Sequence, residues 1–207
     1  FLNTSYFADI SISQFFKALY YGLLMNISSA SYLMILPFIF LIISNFTKKD
    51  KWIVKTANWI IVFQIILCVI TGVIDAGLFS AWGTKLNAKA ISYISYPSEM
   101  LKGIGSVSLP LLISYLLLIT FLSLFCYYKF FKFSIFYKIR FWKFLVFSIF
   151  ISALLIIGSR GGLQTRPINK GWAFHSTNQC LNYSAVNSLW NFFDIFINRE
   201  DNNNQYQ

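Results

Sequence analysis

Long apolar runs separated by short basic linkers dominate the hydrophobic pattern of this chain. Four runs approach the ~20 residues that an α-helix needs to cross ~30 Å of hydrocarbon. They cover about residues 29–46, 53–78, 107–128 and 141–158. The pattern therefore predicts four transmembrane helices. Pro110 falls in the first turn of the third helix, where proline is tolerated, and Pro37 predicts a kink inside the first.

An apolar stripe at helical spacing precedes the first run. It consists of Ile12, Phe15, Phe16, Leu19, Tyr20 and Leu23. Two interpretations stay open. The stripe is typical of an amphipathic helix that lies in the membrane interface, and it also fits the early part of the first span.

The composition identifies an integral membrane protein. The 207 residues are 57% apolar and 20% aromatic, and only 12% are charged, whereas a soluble protein has about 25% charged residues. The fold class predicted is all-α, with short interfacial helices beside the spans. The net charge of +10 invites a nucleic-acid partner. We expect none, because the basic residues cluster between apolar runs and no nucleic-acid-binding motif is present.

Two basic linkers predict the orientation. Residues 46–55 and 128–143 hold nine of the 17 basic residues. Since short cytoplasmic loops are rich in Lys and Arg, both linkers are expected inside. Residues 1–28 then form an extracytoplasmic interfacial segment, and the C-terminus is also outside. An external N-terminus without a signal sequence or Met predicts one more span before Phe1, hence five spans in the full protein.

The external segments are expected to be structured. In the loop 79–106 we predict two short surface helices, one of them opening at Pro97. Residues 159–195 are polar but keep regularly spaced aromatics, which indicates a folded connector at the bilayer surface. Gly161 and Gly162 are expected to end the fourth span. Residues 196–207 are typical of a linker.

Asp75, at the outer end of the second span, is the main candidate for a functional side chain. A charged Asp costs about 2.5–3.5 kcal/mol at mid-bilayer and less near the interface. It either helps to form an outward polar pocket with Lys85, Arg160 and Arg166, or makes a structural ion pair, for example with Arg160. The ion pair is favoured. Positive charge is expected outside at headgroup level, where it suits a lipid phosphate or ordinary anchoring at the interface; it comes from Lys85, Lys89, Arg160, Arg166 and Lys170.

No catalytic or metal-binding residue is predicted in this chain. His175 has no Cys, Asp or Glu at ligand spacing, and no nucleophile–base arrangement can be assembled. The three cysteines, Cys68, Cys126 and Cys180, have no metal-like spacing and are interpreted as packing residues.

Three stretches resemble the membrane region of bacterial lipoteichoic acid synthase-like phosphoglycerol transferases. The first is Gly22-Leu23-Leu24-Met25-Asn26-Ile27-Ser28, and the second is Asp75 with Trp82-Gly83-Thr84-Lys85-Leu86, followed by Tyr93, Tyr96, Pro97 and Glu99. The third contains Arg160-Gly161-Gly162-Leu163-Gln164, Pro167-Ile168-Asn169 and the segment from Asn182 to Asn191. The resemblance covers about residues 16–195. Leu24 and Asn26 depart from it, because they stand where the family has a basic and an acidic residue.

The resemblance implies that this chain is the membrane-anchoring region of such a transferase. Relatives belong to the sulfatase and alkaline phosphatase superfamily and transfer phosphoglycerol outside the bacterial cytoplasmic membrane. Their extracytoplasmic catalytic domain, with a Thr nucleophile and a divalent metal of the manganese type, would follow Gln207. The implied partners are anionic phospholipids and that domain, contacted through Asp75, Lys85, Arg160 and Arg166. The alternatives are a small transporter or flippase-like protein, and a structural anchor or assembly partner.

Overall fold

The chain folds into seven α-helices within the residues that a computed structural model describes, which are 10–47, 50–93, 96, 109–132 and 140–197. The helices are α1 (Ile12–Phe46), α2 (Asp50–Trp82), α3 (Ala88–Ser92), α4 (Leu109–Cys126), α5 (Phe141–Ser159), α6 (Gln179–Ala185) and α7 (Ser188–Ile197). A π-helical turn, Tyr127–Phe131, continues α4, and a 3-10 turn, Lys170–Ala173, precedes α6. Helices α1, α2, α4 and α5 are long and apolar enough to cross a membrane, so the chain has the architecture of an all-α membrane protein.

Helix α1 joins the apolar stripe and the first predicted span in one continuous element of 35 residues. Ser11 and Gln14 begin it with a capping box, in which each side chain accepts a hydrogen bond from the other residue's backbone N. The stripe and the first predicted span are therefore parts of one helix. At 1.5 Å per residue the helix is about 52 Å long, which exceeds the ~30 Å hydrocarbon core.

The long helices lie in a row, in the order α5, α1, α2, α4, rather than around one common core. Small residues allow the close contacts: a Cβ at Gly158 of α5 would lie 3.1 Å from Ser31 Cβ of α1, and one at Gly77 of α2 would lie 3.1 Å from a Leu112 methyl of α4. Helix α4 has no buried residue. Most of its surface therefore faces outward.

The predicted end of the fourth span is confirmed. Helix α5 ends in a Schellman motif: Gly162 N donates to the Ile157 carbonyl O at 3.0 Å, and Gly161 N to that of Gly158 at 2.8 Å. Gly161 has φ +79°, which is strained for a residue with a side chain. Pro110 lies in α4 beside residues outside the described ones, and its place in the first turn stays a prediction.

Asparagines organise the segments at one end of the row, which we call the capped end and which comprises residues 83–93 and 160–197. Four of them each accept a hydrogen bond from a backbone N in the first turn of a helix: Asn87, Asn169, Asn178 and Asn187. The connector predicted after the fourth span is thus folded. The short helix predicted at Pro97 lies outside the described residues. Of the linker predicted at 196–207, residues 196 and 197 belong to α7, and the rest also lies outside the described residues.

Candidate functional site

Three stretches that are distant in sequence meet at the capped end, in what we call the junction. Gly22 of α1 lies against Ala185, the last residue of α6. A Cβ at Gly22 would stand 2.9 Å from the Ala185 carbonyl O. Only glycine allows the two backbones to approach so closely. Beside this contact Met25 is fully buried in a hydrophobic cluster with Ile168 and Val186.

Asn187 ties α7 to α1 through its side-chain amide. Its Nδ2 donates to Asn26 Oδ1 at 2.7 Å, and its Oδ1 accepts from Ser29 Oγ at 3.0 Å. The same Oδ1 caps α7 by accepting from Trp190 N at 2.9 Å. One side chain therefore fixes both the start of α7 and its position against α1.

Asp75 and Lys85 form an ion pair where α2 meets the junction. Lys85 Nζ lies 3.4 Å from Asp75 Oδ2, and the side chains are only 13% and 4% exposed. Asp75 Oδ1 accepts from Leu86 N at 2.9 Å. Lys85 Nζ also donates to the Val186 carbonyl O and, at 3.2 Å, to Ser188 Oγ. The pair thus fastens the loop after α2 to the segment that joins α6 and α7.

The electrostatics of the pair depend on its burial. Burial lowers the pKa of the Lys85 ammonium, and the Asp75 carboxylate opposes that shift. A further bond, from Asn191 Nδ2 to the Leu86 carbonyl O at 2.9 Å, holds the same loop. Because its ammonium is engaged with three protein groups, Lys85 fastens the junction and is not a free anion ligand.

A cleft of about 440 Å³ opens beside the junction, between α1, α2 and the α6–α7 connection. This volume is in the range of small-molecule sites. The polar part of its lining comes from the junction and consists of Asn26, Ser29, Lys85, Asn187 and Ser188. Deeper turns of α1 and α2 contribute Leu33, Cys68 and Gly72. Gly72 and Cys68 lie about 15 Å and 21 Å along α2 from Trp82. The cleft therefore runs from a polar rim at the capped end towards the middle of α2.

The structure separates the two predicted arginines from the Asp75–Lys85 pair. Arg160 Nη2 donates to the carbonyl O atoms of Gln164 and Thr165, at 3.1 and 3.0 Å, and so closes its own loop. Arg166 is exposed. The partner of Asp75 is consequently Lys85, and not Arg160 as considered from the sequence. Arg160 follows the end of α5 and folds over the carbonyls of the turn there, and neither arginine lines the cleft.

His175 serves the packing of the capped end. Its ring stacks on Tyr21 with the centroids 4.7 Å apart, and its Nδ1 lies 2.9 Å from the Ala173 carbonyl O. Asn182 Oδ1 accepts from the backbone N of His175 and of Ser176. Among the described residues, no three His, Cys, Asp or Glu side chains gather as a metal-ligand group.

Sequence reasoning missed the cleft and the role of Asn187. The signal for Asn187 was present, since an asparagine just before an apolar helical run is a common N-cap. Nothing in the sequence alone indicated the open space at Gly72, where an added Cβ would meet no atom within 4 Å. Comparison of the chain with protein-family models, with curated proteins and with solved structures finds no match.

Proposed function

We propose that this chain is the membrane region of an extracytoplasmic phospholipid-headgroup transferase of the lipoteichoic acid synthase type, and that its cleft seats an anionic phospholipid. The cleft is the main observation that supports this proposal. It has amide and hydroxyl groups at the rim and an apolar channel towards Cys68. A phospholipid has the same division, with a polar headgroup above an apolar chain.

The residues that form the junction support the assignment to the transferase family in this proposal. The stretches that resemble the transferases are those that meet there: Gly22 and Asn26 from the first, Asp75 and Lys85 from the second, and the α6–α7 segment from the third. Asn26, at the family's acidic position, pairs with Asn187 through a neutral hydrogen bond. Such a pairing explains how the departure at Asn26 is accommodated.

In this proposal the membrane region holds substrate and catalytic domain together. Helix α7 packs on α1 and α2 beside the cleft and leads towards the position where the domain would follow. A lipid held there is presented to the domain in a fixed position, which lowers the entropic cost of reaction. The nucleophile and the divalent metal would belong to that domain. The exposed Arg160 and Arg166 would lie at headgroup height.

The transporter alternative has less support. A transporter needs polar groups directed to a path near the bilayer centre. Gln64, a polar residue inside α2, instead donates from Nε2 to the Leu33 carbonyl O at 2.9 Å and so serves the packing of α2 on α1. A structural anchor is the remaining function if the cleft binds no lipid and no catalytic domain follows.

Filling the cleft tests lipid binding. Gly72→Leu places a side chain in open space, so we expect it to displace the acyl chain and weaken phosphatidylglycerol binding about tenfold at one site. Native mass spectrometry of the purified chain in detergent measures the retained lipids. The matched control is Ile74→Phe, which adds bulk on the exposed face of α2. Equal retention by both variants and the unchanged chain would remove the lipid-binding part of the proposal.

The enzymatic part has a separate test in the gene. The reading frame beyond Gln207 is expected to encode a sulfatase-like domain. A stop codon directly after Gln207 would overturn the transferase and leave the result on the cleft unaffected.

A further inference from the structure

A second cavity lies at the other end of the row, which we call the lysine-rich end. It has a volume of about 470 Å³ and lies between the first turns of α2 and the end of α4. Three lysines line it, Lys51 and Lys55 from α2 and Lys132 from the end of the π-helical turn. Two aromatic side chains, Trp59 and Tyr128, also line the cavity.

The π-helical turn shapes this cavity. Lys132 N donates to the Tyr127 carbonyl O at 2.8 Å, a bond that spans five residues and widens the last turn of α4. The Tyr127 hydroxyl donates to Asn58 Oδ1 and thereby fastens α4 to α2. Tyr128 and Lys132 line the cavity together, with Lys132 Nζ 5.3 Å from the centre of the Tyr128 ring. The π-helical turn therefore positions two residues that line the cavity. π-Helical turns inside or at the end of α-helices are often found at functional sites.

The charge at the lysine-rich end is strongly unbalanced. The two basic linkers, 46–55 and 128–143, contain nine Lys and Arg residues and one acidic residue, Asp50. The side chain of Asp50 lies outside the described residues. Neither of the ion pairs found in the described part involves Lys51, Lys55 or Lys132. Three ammonium groups around one cavity attract an anion.

We propose that this cavity binds the phosphate of an anionic phospholipid in the leaflet opposite the cleft. The chemistry required is a phosphate, which Lys binds as a point charge. A lipid is favoured over a free phosphate because Val54 and Val62 add an apolar floor, and because Trp59 and Tyr128 are exposed aromatics of the kind found at headgroup level. Basic pockets between transmembrane helices on the cytoplasmic side are a known lipid-binding arrangement. The inference does not depend on the function proposed for the capped end.

The test compares two triple variants with the same loss of charge. Lys51→Gln, Lys55→Gln and Lys132→Gln remove the lysines of the cavity. Lys129→Gln, Arg140→Gln and Lys143→Gln remove three exposed charges at the same end that do not line it. Phosphatidylglycerol binding is measured by native mass spectrometry in the unchanged chain and again in Gly72→Leu, where the cleft is filled. Thermal unfolding checks that each variant is folded.

The first triple variant is expected to bind phosphatidylglycerol on the order of a hundredfold more weakly, and the second only a few-fold. Phosphatidylcholine should bind weakly to all chains, and glycerol phosphate should not compete at concentrations that match the lipid. Equal losses in the two triple variants would overturn the proposal and leave general surface attraction. Competition by glycerol phosphate as strong as that by the lipid would also overturn it, since the site would then take a soluble anion.

Discussion

Asp75→Asn is expected to destabilise the protein by about 3 kcal/mol, since breaking a buried ion pair leaves an uncompensated charge. The amide keeps an oxygen for the backbone N of Leu86 but removes the counter-charge of Lys85, whose side chain is 13% exposed. Denaturant titration in mixed micelles measures the loss. The double variant with Lys85→Met should lose less than the sum of the single variants, because each single change leaves one charge unpaired.

The loss in Asp75→Asn should shrink as the pH rises. Burial already lowers the pKa of Lys85, and removing Asp75 removes the interaction that opposes this shift. The folded variant then binds fewer protons than the unfolded chain between the lowered pKa of Lys85 in the folded state and the ordinary lysine pKa, so its stability increases with pH in that window. Asp194→Asn is the control. Its ion pair with Lys170 is more exposed, and we expect a change of at most about 1 kcal/mol. Equal losses in the two variants would contradict the role given to Asp75.

Two Gly→Ala substitutions are expected to differ in their effect on the free energy of unfolding. At Gly22 the new methyl would stand 2.9 Å from the carbonyl O of Ala185, so the backbone of α6 must move, at a cost of about 1–3 kcal/mol. At Gly72 the methyl meets no atom within 4 Å, and the better helix propensity of Ala gives no loss or a gain of up to about 1 kcal/mol. Unfolding in mixed micelles gives the stability of both variants.

Hydrogen exchange shows where the change acts. In Gly22→Ala, protection should fall in α6 and α7, because the junction opens, while α4 stays unchanged. The result that would count against the junction is a gain of stability at Gly22 equal to that at Gly72. Helix propensity alone predicts such a gain at both positions.

The sequence was sufficient for those parts of the fold that local rules decide. Long apolar runs gave four helices that could cross a membrane, and the glycine pair after Ser159 gave the turn that ends α5. Both follow from hydrophobic length and backbone freedom, which act over a few residues. The function suggested by the resemblance remains a proposal.

The candidate site depends on contacts that no local rule specifies. Asp75 pairs with Lys85, ten residues further on, because α2 ends at Trp82 and the loop returns over its last turns. The bond of Asn187 to Asn26 joins residues 161 positions apart. The row of helices likewise follows from which small residues meet, as Gly158 meets Ser31. Such pairings are set by tertiary packing and could be found only in the structure.

Photo-crosslinking with phosphatidylglycerol that carries a diazirine in its acyl chain tests the proposed lipid site most directly. Labelling of the purified chain is expected to concentrate on the cleft, at Leu33 and Cys68, and to fall in Gly72→Leu but not in Ile74→Phe. Labelling spread evenly over the exposed faces of α4 and α5, and unchanged by Gly72→Leu, would contradict a lipid seat at the junction.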